Sequence, residues 1–154
     1  MRCLVVRDAP GIALAGHELS EAFLPGWRWR NAPFEPALRV LITPEPSALL
    51  SAAWDPKNDP GRALSRQLGS ALRLALPAED QAWVALFRQG HLERSIRLHG
   101  DKSERFHAGE LFQATAIEDR MEAFRQGLSW LIGEELDLEP DELVELPEVL
   151  TQAG

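Results

Sequence analysis

Residues 82–112 read AWVALFRQGHLERSIRLHGDKSERFHAGELF, and this stretch decides the fold class. Its first run, residues 83–87, is apolar without interruption, which is typical of a strand buried on both faces of a sheet. After a turn signal at Gly90, residues 92–98 alternate between apolar and polar types, which predicts a second strand. Evenly spaced apolar residues between 106 and 112 indicate a third strand after a second turn. The segment therefore predicts an antiparallel meander.

Two helices are expected on either side of this meander. The first, at about residues 60–76, starts with Pro60 after a capping Asp59 and places several apolar residues on one helical face. Those residues are Leu64, Leu68, Ala71, Leu72 and Ala75. The second, at about residues 116–132, repeats apolar residues at helical intervals and ends at Gly133, a residue suited to a C-terminal cap.

The N-terminal third contributes further short strands. Apolar or alternating runs bounded by Pro and Gly lie at residues 2–7, 12–17, 27–30 and 38–43. We therefore expect an α+β fold, with an antiparallel sheet of about five to six strands and the two helices packed on one face. No linker is evident, which predicts a single domain over residues 1–154 with an acidic C-terminal segment at 134–154.

Charge is distributed very unevenly along the chain. The protein has 24 acidic and 16 basic residues, yet the first 132 residues carry 16 of each. The whole net charge of −8 lies after Gly133, where no Lys or Arg occurs. The acids there are Glu134, Glu135, Asp137, Glu139, Asp141, Glu142, Glu145 and Glu148. Such a block repels nucleic acid and anionic membranes and attracts basic proteins, although it also fits a solvated tail that only aids solubility.

The cysteine content and the lack of known motifs bear on the location of the protein and on whether it is an enzyme. Cys3 is the only cysteine, so an internal disulfide is impossible and a cytoplasmic location is expected. Cys3 lies in an apolar run that is too short for a signal peptide, and we expect a buried structural thiol. No phosphate-binding loop, G-x-S-x-G elbow, H-E-x-x-H pair or calcium loop occurs, so neither a cofactor nor a catalytic site is predicted.

Candidate partner-binding residues come from two places. The strand at residues 27–30 alternates Trp and Arg, the residue types enriched at binding hot spots, although Trp also fills cores. The acidic segment would supply electrostatic capture of a basic partner. The predicted partner-binding residues are Trp27, Arg28, Trp29, Glu139, Asp141, Glu142 and Glu145.

A second basic group lies in the predicted first helix. Arg62, Arg66 and Arg73 fall on one side of it, where they could bind a phosphate or carboxylates, form a solvated face, or pair with the protein's own acidic tail. A nucleic-acid regulator is disfavoured by the charge balance and requires this face to be exposed with the tail folded away.

The main alternative is a metal-dependent enzyme or small-ligand binder. His99 and His107 could flank one turn of the meander and approach each other, with Glu110 nearby. Imidazoles and a carboxylate suit a divalent transition metal, but the spacing matches no known ligand motif.

The sequence therefore favours a non-catalytic, acidic cytoplasmic protein that masks or escorts one partner protein. Immunity proteins that neutralise bacterial toxins and dedicated secretion chaperones share this size and acidity, and a homodimer is compatible with the latter class. This likeness concerns size and charge and involves no shared motif.

Overall fold

The computed structural model describes residues 2–7, 28–31, 38–42, 60–76, 80–100, 102–108, 113–114, 120–139, 141–142 and 148. Its strands are β1 (Arg2–Arg7), β2 (Arg28–Asn31), β3 (Leu38–Ile42), β4 (Ser70–Ala75), β5 (Gln81–Arg88), β6 (His91–His99), β7 (Lys102–His107) and β8 (Gln113–Ala114). Its helices are α1 (Pro60–Leu68) and α2 (Arg120–Ile132).

All the strands belong to one antiparallel sheet, in the order β2-β3-β1-β4-β5-β6-β7-β8. The α+β class, the antiparallel sheet with two helices and the meander β5-β6-β7 are confirmed. Six inner strands of five to nine residues match the expected number, and the outermost strands, β2 and β8, add four and two residues.

Two strands in the middle of the sheet are buried on both faces. Cys3 to Val6 of β1 are inaccessible to solvent, and Val84 to Phe87 of β5 are at most 3% exposed. The uninterrupted apolar run of β5 therefore behaves as its sequence predicts, because polar side chains on either face would lose their water without gaining partners.

Helix α2 covers one face of the sheet, which we call the α2 face. Phe124 and Leu128 of the helix are fully buried in a cluster with sheet residues such as Leu72, Val84 and Ile96. At Gly127 the helix lies so close to Val84 that an added Cβ would force the neighbour to move. The absence of a side chain there lets the helix backbone approach the sheet.

Helix α1 packs against the opposite face, which we call the α1 face. The Arg62 guanidinium of α1 lies 5.5 Å from the ring centroid of Phe87, whose neighbours in sequence point to the other side of β5. Ser65 is buried and its hydroxyl accepts a hydrogen bond at 2.9 Å from the amide of Gly90, in the β5–β6 turn. The expectation that both helices share one face is thereby corrected, since both faces of the sheet carry apolar residues to cover.

The first helix is also shorter than the expected 60–76. It ends at Leu68, because Gly69 adopts a left-handed backbone (φ +94°) and donates its amide to the Ser65 carbonyl at 2.9 Å. Residues 70–75 form β4, with Leu72 and Leu74 on the α2 face. Alanines at 71 and 75 fit a helix face and a strand face equally well, so the apolar spacing alone predicts the wrong element.

Several expectations lie outside the described residues. They include the strand at 12–17 and the start of the second helix at 116–119, while the rest of that helix and its end at Gly133 (φ +89°) are confirmed. The boundary of a single domain at 1–154 stays a prediction.

Candidate functional site

A row of exposed acids follows helix α2 and forms the candidate site. Between residues 134 and 139, buried Leu136 and half-buried Leu138 alternate with exposed acids, and Leu136 belongs to the core of the α2 face. We call the exposed acids of this stretch and the two that follow it the acidic ridge: Glu134, Glu135, Asp137, Glu139, Asp141 and Glu142. The two leucines pack against the core while the carboxylates face solvent, so the ridge is part of the folded surface rather than a loose tail.

Arg125 of α2 ties the ridge to the helix. Its Nη1 donates to the carbonyl oxygen of Leu136 at 3.3 Å and lies 3.5 Å from the carboxylate of Glu135. The guanidinium also binds both carboxylate oxygens of Glu122, one turn earlier, with Nε at 2.8 Å from Oε2. This hydrogen-bonded pairing lowers the pKa of Glu122 and raises the pKa of Arg125. The side chain of Arg125 is only 17% exposed, so its contacts with Glu122 and the ridge are held within the folded surface.

Ser129 provides the second attachment. Its hydroxyl donates to the Arg125 carbonyl at 2.8 Å and accepts the amide of Leu136 at 2.9 Å. Gly133 then turns the chain, donating its own amide to the Ser129 carbonyl at 2.9 Å. The helix end and the start of the ridge are thus one hydrogen-bonded unit.

The far end of the ridge begins a new helical turn. Asp141 and Glu142 have helical backbone, and the Glu142 carboxylate accepts the amide of Glu139 at 3.3 Å, as in a capping box. Three of the predicted partner-binding acids, Glu139, Asp141 and Glu142, are therefore brought together on the surface. The fourth, Glu145, lies outside the described residues.

The aromatic half of the predicted binding surface is described only in part. Arg28 and Trp29 lie on β2, paired by backbone register with Ile42 and Leu41 of β3, at one edge of the sheet as described. Trp27 lies outside the described residues. The strand predicted from the Trp-Arg alternation is confirmed. Among the described strands it pairs with β3 only, whereas each inner strand pairs with two neighbours.

The histidines proposed as metal ligands are not brought together. His99 pairs with Lys102 next to the β6–β7 turn, whereas His107 pairs with Arg94 at the other end of β7. Five residue steps of about 3.3 Å separate the two rungs by roughly 16 Å, and an odd number of steps places the histidines on opposite faces. Glu110 lies outside the described residues, and among those described no three His, Cys, Asp or Glu side chains could jointly hold a metal ion.

Of the three arginines expected on the first helix, Arg62 and Arg66 lie on α1, whereas Arg73 lies on a strand. Arg73 is a residue of β4, yet its guanidinium lies 5.8 Å from the ring centroid of Phe87, the same ring that Arg62 approaches from α1. Arg66 is exposed and crosses Gly90, where an added Cβ would lie 2.6 Å from its Cγ. Arg62 and Arg73 are therefore close because both approach Phe87, and not because they share one face of a helix.

A second arginine–aromatic contact on the same face was missed. Arg97 of β6 lies 5.0 Å from the ring centroid of Trp83, its partner on β5, and the His99 ring is 6.2 Å from the indole. The alternation of residues 92–98 already indicated that Arg97 points away from the apolar side. Only the register of β5 with β6 places it over Trp83.

Cys3 carries no nucleophilic role in this fold. The side chain is fully buried between the sheet and α2, and burial raises the pKa of the thiol to about 12. The expected structural thiol is confirmed.

No protein-family model, curated protein or solved structure matches the chain. Neither helix, nor any other helical stretch that the structure describes, is both long and apolar enough to cross a membrane.

Proposed function

We propose that the protein is a non-catalytic binding module that captures a basic partner protein through the acidic ridge. The observation that carries the proposal is the anchoring of the ridge by Arg125, Ser129 and the buried Leu136. A segment that served solubility alone would need no such attachment.

Anchoring matters because it reduces the entropic cost of binding. Carboxylates that already stand in one row lose little freedom when a basic surface meets them, so more of the electrostatic attraction is retained as affinity. Clustered negative charge also accelerates the encounter with a basic partner at low ionic strength.

Strand β2 is the second part of the proposed contact. Trp27, Arg28 and Trp29 would supply aromatic and guanidinium anchors once the ridge has oriented the partner. The edge position of β2 among the described strands also offers backbone groups for an added strand of a partner.

The biological setting belongs to the same proposal. A cytoplasmic protein that masks or escorts its partner, as immunity proteins and secretion chaperones do, fits the charge distribution and the lone buried Cys3. Nucleic acids and membranes are not proposed as partners, because the ridge repels their negative surfaces.

The test compares two variants with the same change in charge. Asp137→Asn with Glu139→Gln neutralises two ridge acids, and Asp80→Asn with Glu104→Gln neutralises two exposed acids elsewhere. Each protein is used to capture partners from lysate of its source organism, and the captured protein is then purified for rate measurements.

We expect the ridge variant to associate about tenfold more slowly than the parent at low salt, and the control variant to match the parent. The difference should disappear at about 0.5 M salt, where charges are screened within a few ångströms. Equal association rates for the two variants would refute the role of the ridge.

A further inference from the structure

The α1 face carries a surface of opposite charge to the ridge. We call it the arginine patch: Arg62, Arg66, Arg73, Arg97 and Lys102. Phe87 and Trp83, the two rings under these guanidinium groups, lie four residues apart on β5, so the arginines are spread over roughly 13 Å of the strand. Lys102 extends the patch by two more residue pairs of the sheet, opposite His99.

In the part of the chain that the structure describes, the patch has few acidic neighbours. Its register places Glu104 opposite Arg97, and Asp80 lies at the same end of the sheet beside Gly100. Among the residues that the structure describes, Arg66, Arg97 and Lys102 are exposed and form no ion pair. A surface with this surplus of donors fits a ligand rich in carboxylates.

The chain itself contains such a ligand. The six ridge acids are exposed, and residues 134–139 span at most about 20 Å in extended form. The patch has a similar length, because the rungs from Phe87 to Gln81 on β5 extend over roughly 20 Å. Charge and length are therefore complementary.

The ridge and the patch lie on different sides of the molecule. Arg125 and Ser129 hold the ridge against α2, whereas the patch lies on the opposite face of the sheet with α1. The anchored ridge of one copy would therefore meet the patch of another copy rather than its own.

We propose that the arginine patch is the docking site for the acidic ridge of a second copy of this chain. Because the ridge and the patch lie on opposite sides of each copy, the contact is head to tail, and copies add reversibly in a row in which each ridge covers the patch of the next copy. Self-association then covers the surface that the proposed function needs, and a basic partner competes with the second copy for the ridge.

The experiment uses the full chain and single charge reversals at exposed positions. Arg97→Glu alters the patch, Glu142→Arg alters the ridge, and Arg7→Glu is the matched control, an exposed arginine on β1 with the same change of charge as Arg97→Glu. Sedimentation velocity measures the mass of each protein over a range of concentrations, at low salt and at about 0.5 M salt.

We expect the parent and Arg7→Glu to self-associate at low salt, with a mass that rises with concentration, and to dissociate at high salt. Arg97→Glu and Glu142→Arg should each weaken self-association by about tenfold or more, and an equimolar mixture of the two should restore association, because the reversed charges then face each other. Circular dichroism of each variant confirms that the fold is retained.

Three outcomes would overturn the proposal. The parent could stay monomeric at low salt, Arg97→Glu could self-associate as the control does, or the mixture could fail to associate. If the parent is monomeric but binds a single-stranded oligonucleotide that Arg97→Glu does not bind, the occupant of the patch is a nucleic acid. The capture experiment stays separate, because Arg97→Glu leaves the ridge intact and should still bind the basic partner.

Discussion

Gly127 shows how one missing side chain sets the position of a helix. A Cβ at this position would clash with Val84 and would lie 3.4 Å from Leu72 Cδ1. We expect Gly127→Ala to destabilise the protein by roughly 1–2 kcal/mol, because the strain of overpacking exceeds the gain of about 1 kcal/mol in helix propensity. Urea unfolding followed by tryptophan fluorescence measures the loss.

A double-mutant cycle separates this clash from other costs. Val84→Ala removes the colliding methyl groups, so Gly127→Ala should cost much less in that background. Gly133→Ala is the comparison, since no atom lies within 4 Å and its cost comes from the left-handed backbone alone. A loss at Gly127 that Val84→Ala leaves unchanged would contradict the packing account.

The Glu122–Arg125 pair gives the molecule a defined dependence on pH. Hydrogen bonds from Arg125 lower the pKa of the Glu122 carboxyl below its ordinary value of 4.5. The ionised form is therefore stabilised by folding, and this contribution is complete above about pH 4.5 and disappears as the pH falls through the lower, folded-state pKa. Glu122→Gln should destabilise by less than about 1 kcal/mol at pH 7, because the pair is partly exposed.

The measurement is the free energy of unfolding of the parent and of Glu122→Gln at pH 7 and at pH 3. We expect the difference between them to shrink at the lower pH. Glu134→Gln, at an exposed acid of the ridge, is the matched control for the removal of one carboxylate. A difference that is constant between the two pH values would show that the pair contributes through packing only.

At the scale of elements, the hydroxyl of Ser65 attaches α1 to the β5–β6 turn. Gln89 and Gly90 both have positive φ, 50° and 84°, which is typical of a type I′ turn, and the Gly90 amide points to Ser65. Ser65→Ala leaves this buried amide without an acceptor, so we expect a loss of about 1–3 kcal/mol. Ser70→Ala, at a half-buried serine on the neighbouring strand, should stay within about 0.5 kcal/mol of the parent.

Amide hydrogen exchange locates the effect. In Ser65→Ala the amide of Gly90 should exchange faster than in the parent, while amides in the middle of β5 change only with global stability. Unchanged exchange at Gly90 would mean that the hydroxyl does not hold the turn.

The limits of prediction also lie at the element scale. The meander and α2 could be predicted because the spacing of their apolar residues fits one kind of element only, and clear turn signals bound each segment. The segment 60–76 could not, since its alanines suit helix and strand alike and Gly69 is tolerated inside a helix at a cost of about 1 kcal/mol. What decides the outcome is pairing: residues 72 to 75 form rungs with both β1 and β5, which no local pattern contains.

Strand register also explains why the predicted histidine site does not form. His99 and His107 could flank one turn only if the turn fell midway between them, but it falls directly after His99. The ridge could be predicted from a segment with eight acids and no base, because charge is local in sequence. The contacts that attach the ridge to α2 could not be predicted, although the Glu122–Arg125 spacing of three residues on a helix is a recognisable signal for an ion pair.

At the scale of the whole molecule, the sheet separates two surfaces of opposite charge. The ridge follows α2 on one side, and the arginine patch lies with α1 on the other. The sequence indicates the first surface and groups only Arg62, Arg66 and Arg73 of the second, because Arg97 and Lys102 join these arginines through strand pairing. A chain with equal acids and bases over residues 1–132 can still present a basic surface when its arginines converge on one face.

This polarity leads to a prediction about competition. A labelled oligolysine peptide has the charge of the proposed partner and should bind the ridge, so it should separate associated copies as it binds. In fluorescence anisotropy at low salt, Arg97→Glu, which presents a free ridge, should therefore bind the peptide more tightly than the parent at the same high protein concentration. At protein concentrations too low for self-association the two proteins should bind the peptide alike, apart from the small gain in affinity from the added negative charge that Arg7→Glu also shows. Glu142→Arg should bind weakly at every concentration. A parent protein whose peptide affinity is independent of its own concentration would show that the ridge is not covered by a second copy.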